Sequence, residues 1–244
     1  MLKQALLLSI TKLRKVCGLL ILRRNINNDP DLQIDRIIAN RGISLIIDVG
    51  ANEGQFARKF IKNKNIKNLI SFEPLGHAFR ILKRRSATHP NWVVQNLALG
   101  CEEGQSQINI SQNSVSSSLR RLTKIHTKAA PNSQNIDSEK VTVTTLDRYF
   151  EKPNGTDLSQ RVLLKIDTQG FEREVLKGAS DLLKMVDLII VETSFAELYD
   201  GQALFDELHQ LVNSKGFKIC NIIPGFKDDT TGQLLQADIV YVKK

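Results

Sequence analysis

The stretch "LIIDVGANEGQF", residues 45–56, has a short apolar run that stops at Asp48 and then passes two glycines, Gly50 and Gly54, before Phe56 resumes an apolar rhythm. A run of this length closed by glycines reads as a buried strand, a turn and the start of a helix. Outward from it the same alternation of short apolar strands and helical segments recurs, which predicts a parallel sheet with helices on both faces. Strands are expected at "SLIIDV", "NLISFE", "NWVVQNLAL", "VLLKID" and "DLIIVE", with helices beginning near Gln55, His77, Glu172 and Gln202. The end differs. "GFKICNI" and "LQADIVYVK" are separated only by "IPGFKDDTTGQL", too short and too polar for a crossover helix, so they should pair as an antiparallel hairpin. The expected class is α/β, with a mostly parallel sheet and an antiparallel C-terminal hairpin.

With 244 residues, 41% of them hydrophobic and 25% charged, the chain suits one globular domain with a substantial core rather than a disordered or fibrous protein. The formal net charge is +8, but residues 1–28 hold Lys3, Lys12, Arg14, Lys15, Arg23 and Arg24 and no acid, so the remainder is close to balanced. Cys17, Cys101 and Cys220 stand far apart without a CxxC pair or a His cluster, which argues against a disulfide framework or a zinc site and suits a reducing, cytoplasmic setting. Lys12 interrupts the N-terminal apolar run too early for a secretory signal, and no stretch reaches the roughly 18 apolar residues of a transmembrane span.

Leu2, Leu6, Ile10, Leu13, Cys17 and Leu20 fall on one helical stripe with Lys12, Arg14 and Lys15 off it. Two readings stay open: a helix that packs on the main domain or on a partner chain in a homo-oligomer, or a basic amphipathic helix at residues 1–24 lying on an anionic membrane surface. A second helix from about Leu32 to Asn40 should end at Gly42. The expected organisation is an N-terminal helical extension, 1–42, and a ligand-binding domain, 43–244. That domain carries a polar insertion at about 104–145 with strands at "QINI" and "VTVTT", and an insertion of this kind is expected to be a lid or binding loop.

In an open parallel sheet, ligands bind beyond the carboxyl ends of the strands, where Asp48 and Gly50 close the first strand and Glu73 the second. Glu73 is placed to accept both hydroxyls of a ribose, a role that serves NAD and S-adenosylmethionine alike. Asp48 discriminates. A dinucleotide site needs G-x-G-x-x-G for its pyrophosphate, whereas this chain has D-x-G-x-x-x-G with Glu53 inside it. A carboxylate repels pyrophosphate but suits the ammonium of an amino-acid moiety, so the pattern favours S-adenosylmethionine. Its amino-acid end is expected near Gly50, Asn52 and Gly54, its ribose near Glu73 and its adenine near Asn96, Leu97 and Ala98.

"IIDVGANEGQFA", "ISFEPLGHAF", "VVQNLALG", "NSVSSSL", "TTLDRYF", "LLKIDTQGFEREVLKGA", "VETSFAELYDGQALFDEL" and "LLQADIVYVK" follow one another in an order that resembles the FkbM family of S-adenosylmethionine-dependent methyltransferases, over about Ile43 to Lys243. The resemblance implies a seven-stranded Rossmann-like methyltransferase fold. It also implies O-methylation of hydroxyls on sugars, glycans or polyketide-type molecules.

A hydroxyl acceptor must lose its proton, which calls for a general base or a metal. Asp167 ends "VLLKID" and Glu192 ends "DLIIVE", so both acids should meet at neighbouring strand tips. Asp167 would otherwise cap a helix starting at about Phe171, but the resemblance implies a place beside the cofactor for the acid of "KID". A divalent metal stays open, because two carboxylates are too few to specify one. His126, a lone histidine of the polar insertion, is by itself more often a surface residue; the resemblance implies a histidine at this place and makes it a candidate base. Ser116, Ser117 and Ser118 would bind the acceptor's hydroxyls or the cofactor's carboxylate, or form an ordinary serine-rich turn. The competing functions are a nicotinamide-dependent oxidoreductase, whose glycine turn is missing, and a nucleic-acid methyltransferase, for which "DTQG" lacks the expected prolines and aromatic. A binding homologue without turnover is the third.

Overall fold

The computed structural model of the chain describes residues 25–27, 29–151 and 159–244, so the helical stripe expected at residues 1–24 lies outside the described residues. The chain divides into units at 1–36 and 37–244, and the second unit carries the site. Among the described residues no helix is long and apolar enough to cross a membrane.

Helix α1, Pro30–Arg41, ends at Gly42, whose φ of 64° gives the left-handed stop expected there. Strand β1, Leu45–Val49, leads through the glycine turn into α2, Gln55–Phe60. β2, Asn68–Phe72, α3, Gly76–Ser86, and β3, Trp92–Gln95, follow. The insertion region holds β4, Ala98–Leu99, β5, Gly104–Ser111, α4, Lys124–Ala129, and β6, Asn135–Thr144. After α5, Leu146–Glu151, come β7, Val162–Ile166, α6, Glu172–Lys177, and β8, Val186–Ser194. α7, Phe205–Ser214, β9, Phe217–Pro224, and β10, Gln236–Lys243, complete the chain.

The main sheet has seven strands in the order β3-β2-β1-β7-β8-β10-β9, parallel except for β10, which runs antiparallel to both β8 and β9. This is the Rossmann-like sheet and antiparallel hairpin that the sequence predicts. β1 and β7 sit at its centre, and every residue of both is buried. Their branched apolar side chains, Ile46, Ile47, Val49, Val162 and Ile166 among them, each contribute roughly 1.5–3 kcal/mol by leaving water. From β1 the chain winds one way to β2 and β3, and from β7 the other way to β8. Right-handed crossovers therefore place helices on opposite faces and leave a crevice at the carboxyl ends of β1 and β7. Asp48 and Asp167 are at that crevice. The two strand ends approach so closely that a Cβ on Gly50, already at φ 77°, would fall 1.8 Å from the Asp167 carbonyl oxygen.

Two boundaries differ from expectation for local reasons. The expected third strand breaks at Asn96, whose Nδ2 donates to the carbonyls of Glu73, 2.9 Å, and Pro74, 2.8 Å. Beyond that anchor, β4 leaves the main sheet and pairs in a second sheet of order β4-β6-β5. The insertion is thus a small folded layer, built on the strands expected at "QINI" and "VTVTT". The last long helix begins at Phe205 instead of near Gln202, because the Gln202 carboxamide oxygen accepts from the amides of Leu198, 2.9 Å, and Tyr199, 2.6 Å, and closes the preceding turn.

Candidate functional site

A cavity of about 510 Å³ opens at the carboxyl ends of β1, β2, β7 and β8, roofed by the insertion. Of the residues singled out from sequence, Asp48, Gly50, Asn52, Glu73, Ala98, Ser116, Ser117, His126, Asp167 and Glu192 line it. Gly54, Asn96 and Ser118 do not line it. A Cβ on Gly54 would meet Trp92 at 2.8 Å and Leu82 at 2.9 Å, so its lack of a side chain lets α2 approach α3 and β3. Asn96 ties the backbone after β2, as described above. The Ser118 hydroxyl donates to the Gln169 carbonyl at 2.6 Å and so fastens the insertion to the turn after β7.

Asp48 is buried, and a relay aims it. Trp92 Nε1 donates to Ser71 Oγ at 3.0 Å, and Ser71 Oγ donates to Asp48 Oδ2 at 3.3 Å. Asp48 Oδ1 has no hydrogen-bond partner among the described residues. Burial raises its pKa to about 6 despite the opposing pull of Lys165. Glu73 is held by two backbone amides, Asn52 N to Oε2 at 2.7 Å and Leu75 N to Oε1 at 2.8 Å, while burial raises its pKa to about 7. Both oxygens keep a second lone pair for a ligand.

The other wall is a linked set of acids and amides. Lys165 Nζ and Asp167 Oδ2 are 2.8 Å apart. Burial alone would raise Asp167, but the Lys165 charge together with hydrogen bonds from its neighbours, Lys165 and Gln169 among them, holds the carboxyl below its ordinary value. Burial and the nearby Asp167 push the Glu192 carboxyl well above its ordinary value. Gln169 joins the two: its Nε2 donates to Asp167 Oδ1 and to Glu192 Oε2, each at 2.7 Å, and its Oε1 accepts from the Tyr199 hydroxyl at 2.6 Å. It does so from a left-handed backbone, φ 56°, a conformation that costs a non-glycine residue about 1 kcal/mol or more and persists only where its surroundings enforce it. Asp167 does not cap the following helix. Glu172 holds that turn itself, its Oε1 accepting from Thr168 N, 2.9 Å, Thr168 Oγ1, 3.2 Å, and Gly170 N, 3.1 Å.

His126 is neither on a loop nor at the surface. It lies in α4, buried, its ring 5.1 Å from Tyr199 and 5.8 Å from Phe226, and its Nδ1 has no partner among the described residues. Burial lowers its pKa to about 4, so the imidazole is neutral at physiological pH. Sequence reasoning missed Lys165, Gln169, Phe226, Gln236 and Asp238, all of which line the cavity. Charged residues inside the apolar strands "VLLKI" and "QADIVYV" were the available signal for Lys165 and Asp238. Among the described residues no group of three or more His, Cys, Asp or Glu side chains is placed to hold a metal ion.

These acids give the protein a pH dependence. Asp48, Glu73 and Glu172 have folded values of about 6, 7 and 7, against ordinary values of 3.8, 4.5 and 4.5. Between those values the folded state binds more protons than the unfolded chain, so stability falls as pH rises. His126, lowered from 6.5 to about 4, acts in the opposite direction over part of the range, but it is one group against several. The ligand-free thermal midpoint should therefore fall between pH 5 and pH 7.5, by about 5 °C or more. A midpoint that climbs over this range in a melting series would contradict the burial of these carboxyls.

Residues 48–219 match the Methyltransferase FkbM domain family. A curated relative, Methyltransferase 1 of Beauveria bassiana (strain ARSEF 2860), is 27% identical over 190 residues, covering 72% of this chain and 73% of its own. Among solved structures, M. capricolum TrmK, in complex with its cofactor product S-adenosyl-homocysteine, superposes with a TM-score of 0.50 at 9% identity, over 88% of this chain and 67% of that one. Methyltransferase FkbM from Methylobacillus flagellatus KT gives 0.49 at 13% identity, over 81% of this chain and 44% of that one. This chain thus spans less than half the length of that FkbM structure. The likeness to these structures concerns the fold.

Proposed function

The chain belongs to the FkbM methyltransferase family, and from that membership we propose that it transfers a methyl group from S-adenosylmethionine to a hydroxyl of a small-molecule or glycan acceptor, a sugar or a polyketide-type compound. The observation that carries the donor assignment is Asp48 Oδ1, buried at the cavity wall without a partner among the described residues. An ammonium group supplies the missing donor, and the donor's sulfonium is a second positive charge. Around it the cavity presents Asp48, Glu73, Asp167, Glu192 and Asp238 against Lys59 and Lys165. A dinucleotide with two phosphates would meet repulsion from the same wall, which disfavours a nicotinamide-dependent oxidoreductase.

When bound, S-adenosylmethionine supplies a methyl carbon that an acceptor oxygen takes by in-line displacement, the S–CH3 bond breaking to leave S-adenosylhomocysteine. The protein's part is to hold the two reactants in line and to receive the hydroxyl proton. In this reading Glu73 takes the ribose hydroxyls, Asp48 the ammonium, and Leu97 and Ala98 form an apolar floor for the adenine. Of the three candidate bases, Glu192 already accepts from Gln169 and Gln236, and Asp167 is occupied by Lys165 and Gln169. His126 is neutral with Nδ1 unpartnered among the described residues, so it is the group available to take the proton.

Calorimetry on the full chain with S-adenosylhomocysteine and, separately, NADH tests the donor assignment. Micromolar binding of the thioether with no NADH binding is expected. NADH binding in preference would reverse the assignment.

A further inference from the structure

The cavity has two chemically different sides. Carboxylates crowd the strand tips, whereas the insertion side is formed by Ile108, Val115, Leu119, Ala130 and Phe226, with His126 among them. Part of the hydrogen-bonding capacity beside them is used within the protein. Ser117 Oγ accepts from Ser111 N at 3.0 Å, and Asn113 Oδ1 accepts from Ser116 N at 3.0 Å. The buried Nδ1 of His126 has no partner among the described residues. Val115 remains 55% exposed, so the apolar wall continues from the cavity to its mouth. A free saccharide would bring hydroxyls against Ile108, Val115, Leu119, Ala130 and Phe226, whose side chains offer them no partner. A phosphorylated or carboxylated acceptor would face the acids opposite.

Resting on the methyl-transfer reading above, we propose that the acceptor is an uncharged alcohol on an apolar body, whose hydroxyl meets His126 while its hydrocarbon face packs on Phe226 and extends past Val115. Phe226 belongs to the segment between β9 and β10, so the C-terminal hairpin contributes acceptor specificity as well as a sheet edge.

The test uses the full chain saturated with S-adenosylhomocysteine and two probes, menthol as an alicyclic alcohol and methyl glucoside as a sugar. Saturation-transfer NMR and competition titrations should show menthol binding at least about tenfold more tightly than methyl glucoside. Phe226→Ala should weaken menthol about tenfold, and Val115→Ser, at the exposed mouth, by a smaller factor. The S-adenosylhomocysteine affinity of each variant reports that the fold is kept. Tighter binding of methyl glucoside, binding of neither probe, or menthol affinity indifferent to both substitutions would each overturn the proposal. Failure of S-adenosylhomocysteine to bind the unmodified chain would instead overturn the donor assignment on which it rests.

Discussion

Glu73→Ala is expected to lower the affinity for S-adenosylhomocysteine by about 100-fold or more, the largest loss for any single side chain at the donor site. Two hydrogen bonds from ribose hydroxyls to a carboxylate contribute about 1.5 kcal/mol or more each, and together they amount to about two orders of magnitude in Kd. The substitution also removes the acceptor for the amides of Asn52 and Leu75, so the glycine turn after β1 and the entry to α3 lose their shared anchor. Glu73→Gln separates the two effects. It keeps the length of the side chain but turns an NH2 towards one of those amides, so a smaller loss is expected. Calorimetric titration of both variants, with the thermal midpoint of each to establish folding, reads the result. Wild-type affinity in a folded Glu73→Ala protein would remove this residue from the donor site.

Lys165→Met is expected to destabilise the protein by about 3 kcal/mol, since removing one member of a buried ion pair leaves an uncompensated charge. Lys165 has a side chain only 7% exposed, its ammonium lies over the Phe56 ring at 5.5 Å, and Asp48, Asp167 and Asp238 act on it electrostatically. Burial would lower the Lys165 pKa, but those three acids outweigh it and raise the value above the ordinary one. For a chain of this size the loss corresponds to a midpoint roughly 5–10 °C lower at pH 7.5. Lys165→Met with Asp167→Asn should recover part of it, because the second change removes the charge left unpaired. Near pH 5 the loss should be smaller, since without Lys165 burial raises the Asp167 carboxyl and lets it take up a proton instead of staying charged and unpaired. An equal loss at both pH values would mean that packing, not charge, makes Lys165 necessary.

The parallel part of the fold was legible because each strand and its turn lie together in sequence. "LIIDVG" and "ISFE" carry the apolar run and a cavity-lining acid within a few residues, so the order of amino acids alone locates Asp48, Gly50 and Glu73. The side of the cavity beside β10 was not legible in the same way. Phe226, Gln236 and Asp238 reach the cavity because β10 pairs with β8, setting Asp238 opposite Glu192, a register that no local pattern encodes. β4 is two residues long and too short for periodicity to reveal, so the strands at "QINI" and "VTVTT" were legible but the separate sheet they form with β4 was not. His126 looked like an exposed loop residue because its burial depends on Tyr199 and Phe226, which are distant in sequence. Gly54 and Asn96 were read as ligand contacts from their positions beside the right strands. Neighbouring side chains and carbonyls already use them.

Gln169 answers to two requirements that favour different amino acids. Its left-handed backbone would be most comfortable as glycine or asparagine, yet only a side chain of its length with an amide at the end spans Asp167, Glu192 and Tyr199 together. Glycine relaxes the chain and breaks the bridge; glutamate keeps the reach but adds a negative charge between two acids. Backbone comfort and the hydrogen-bond bridge therefore pull this one position towards different residues. A stabilised form of the protein chosen by backbone preference alone would be altered at the turn that joins its two carboxylates.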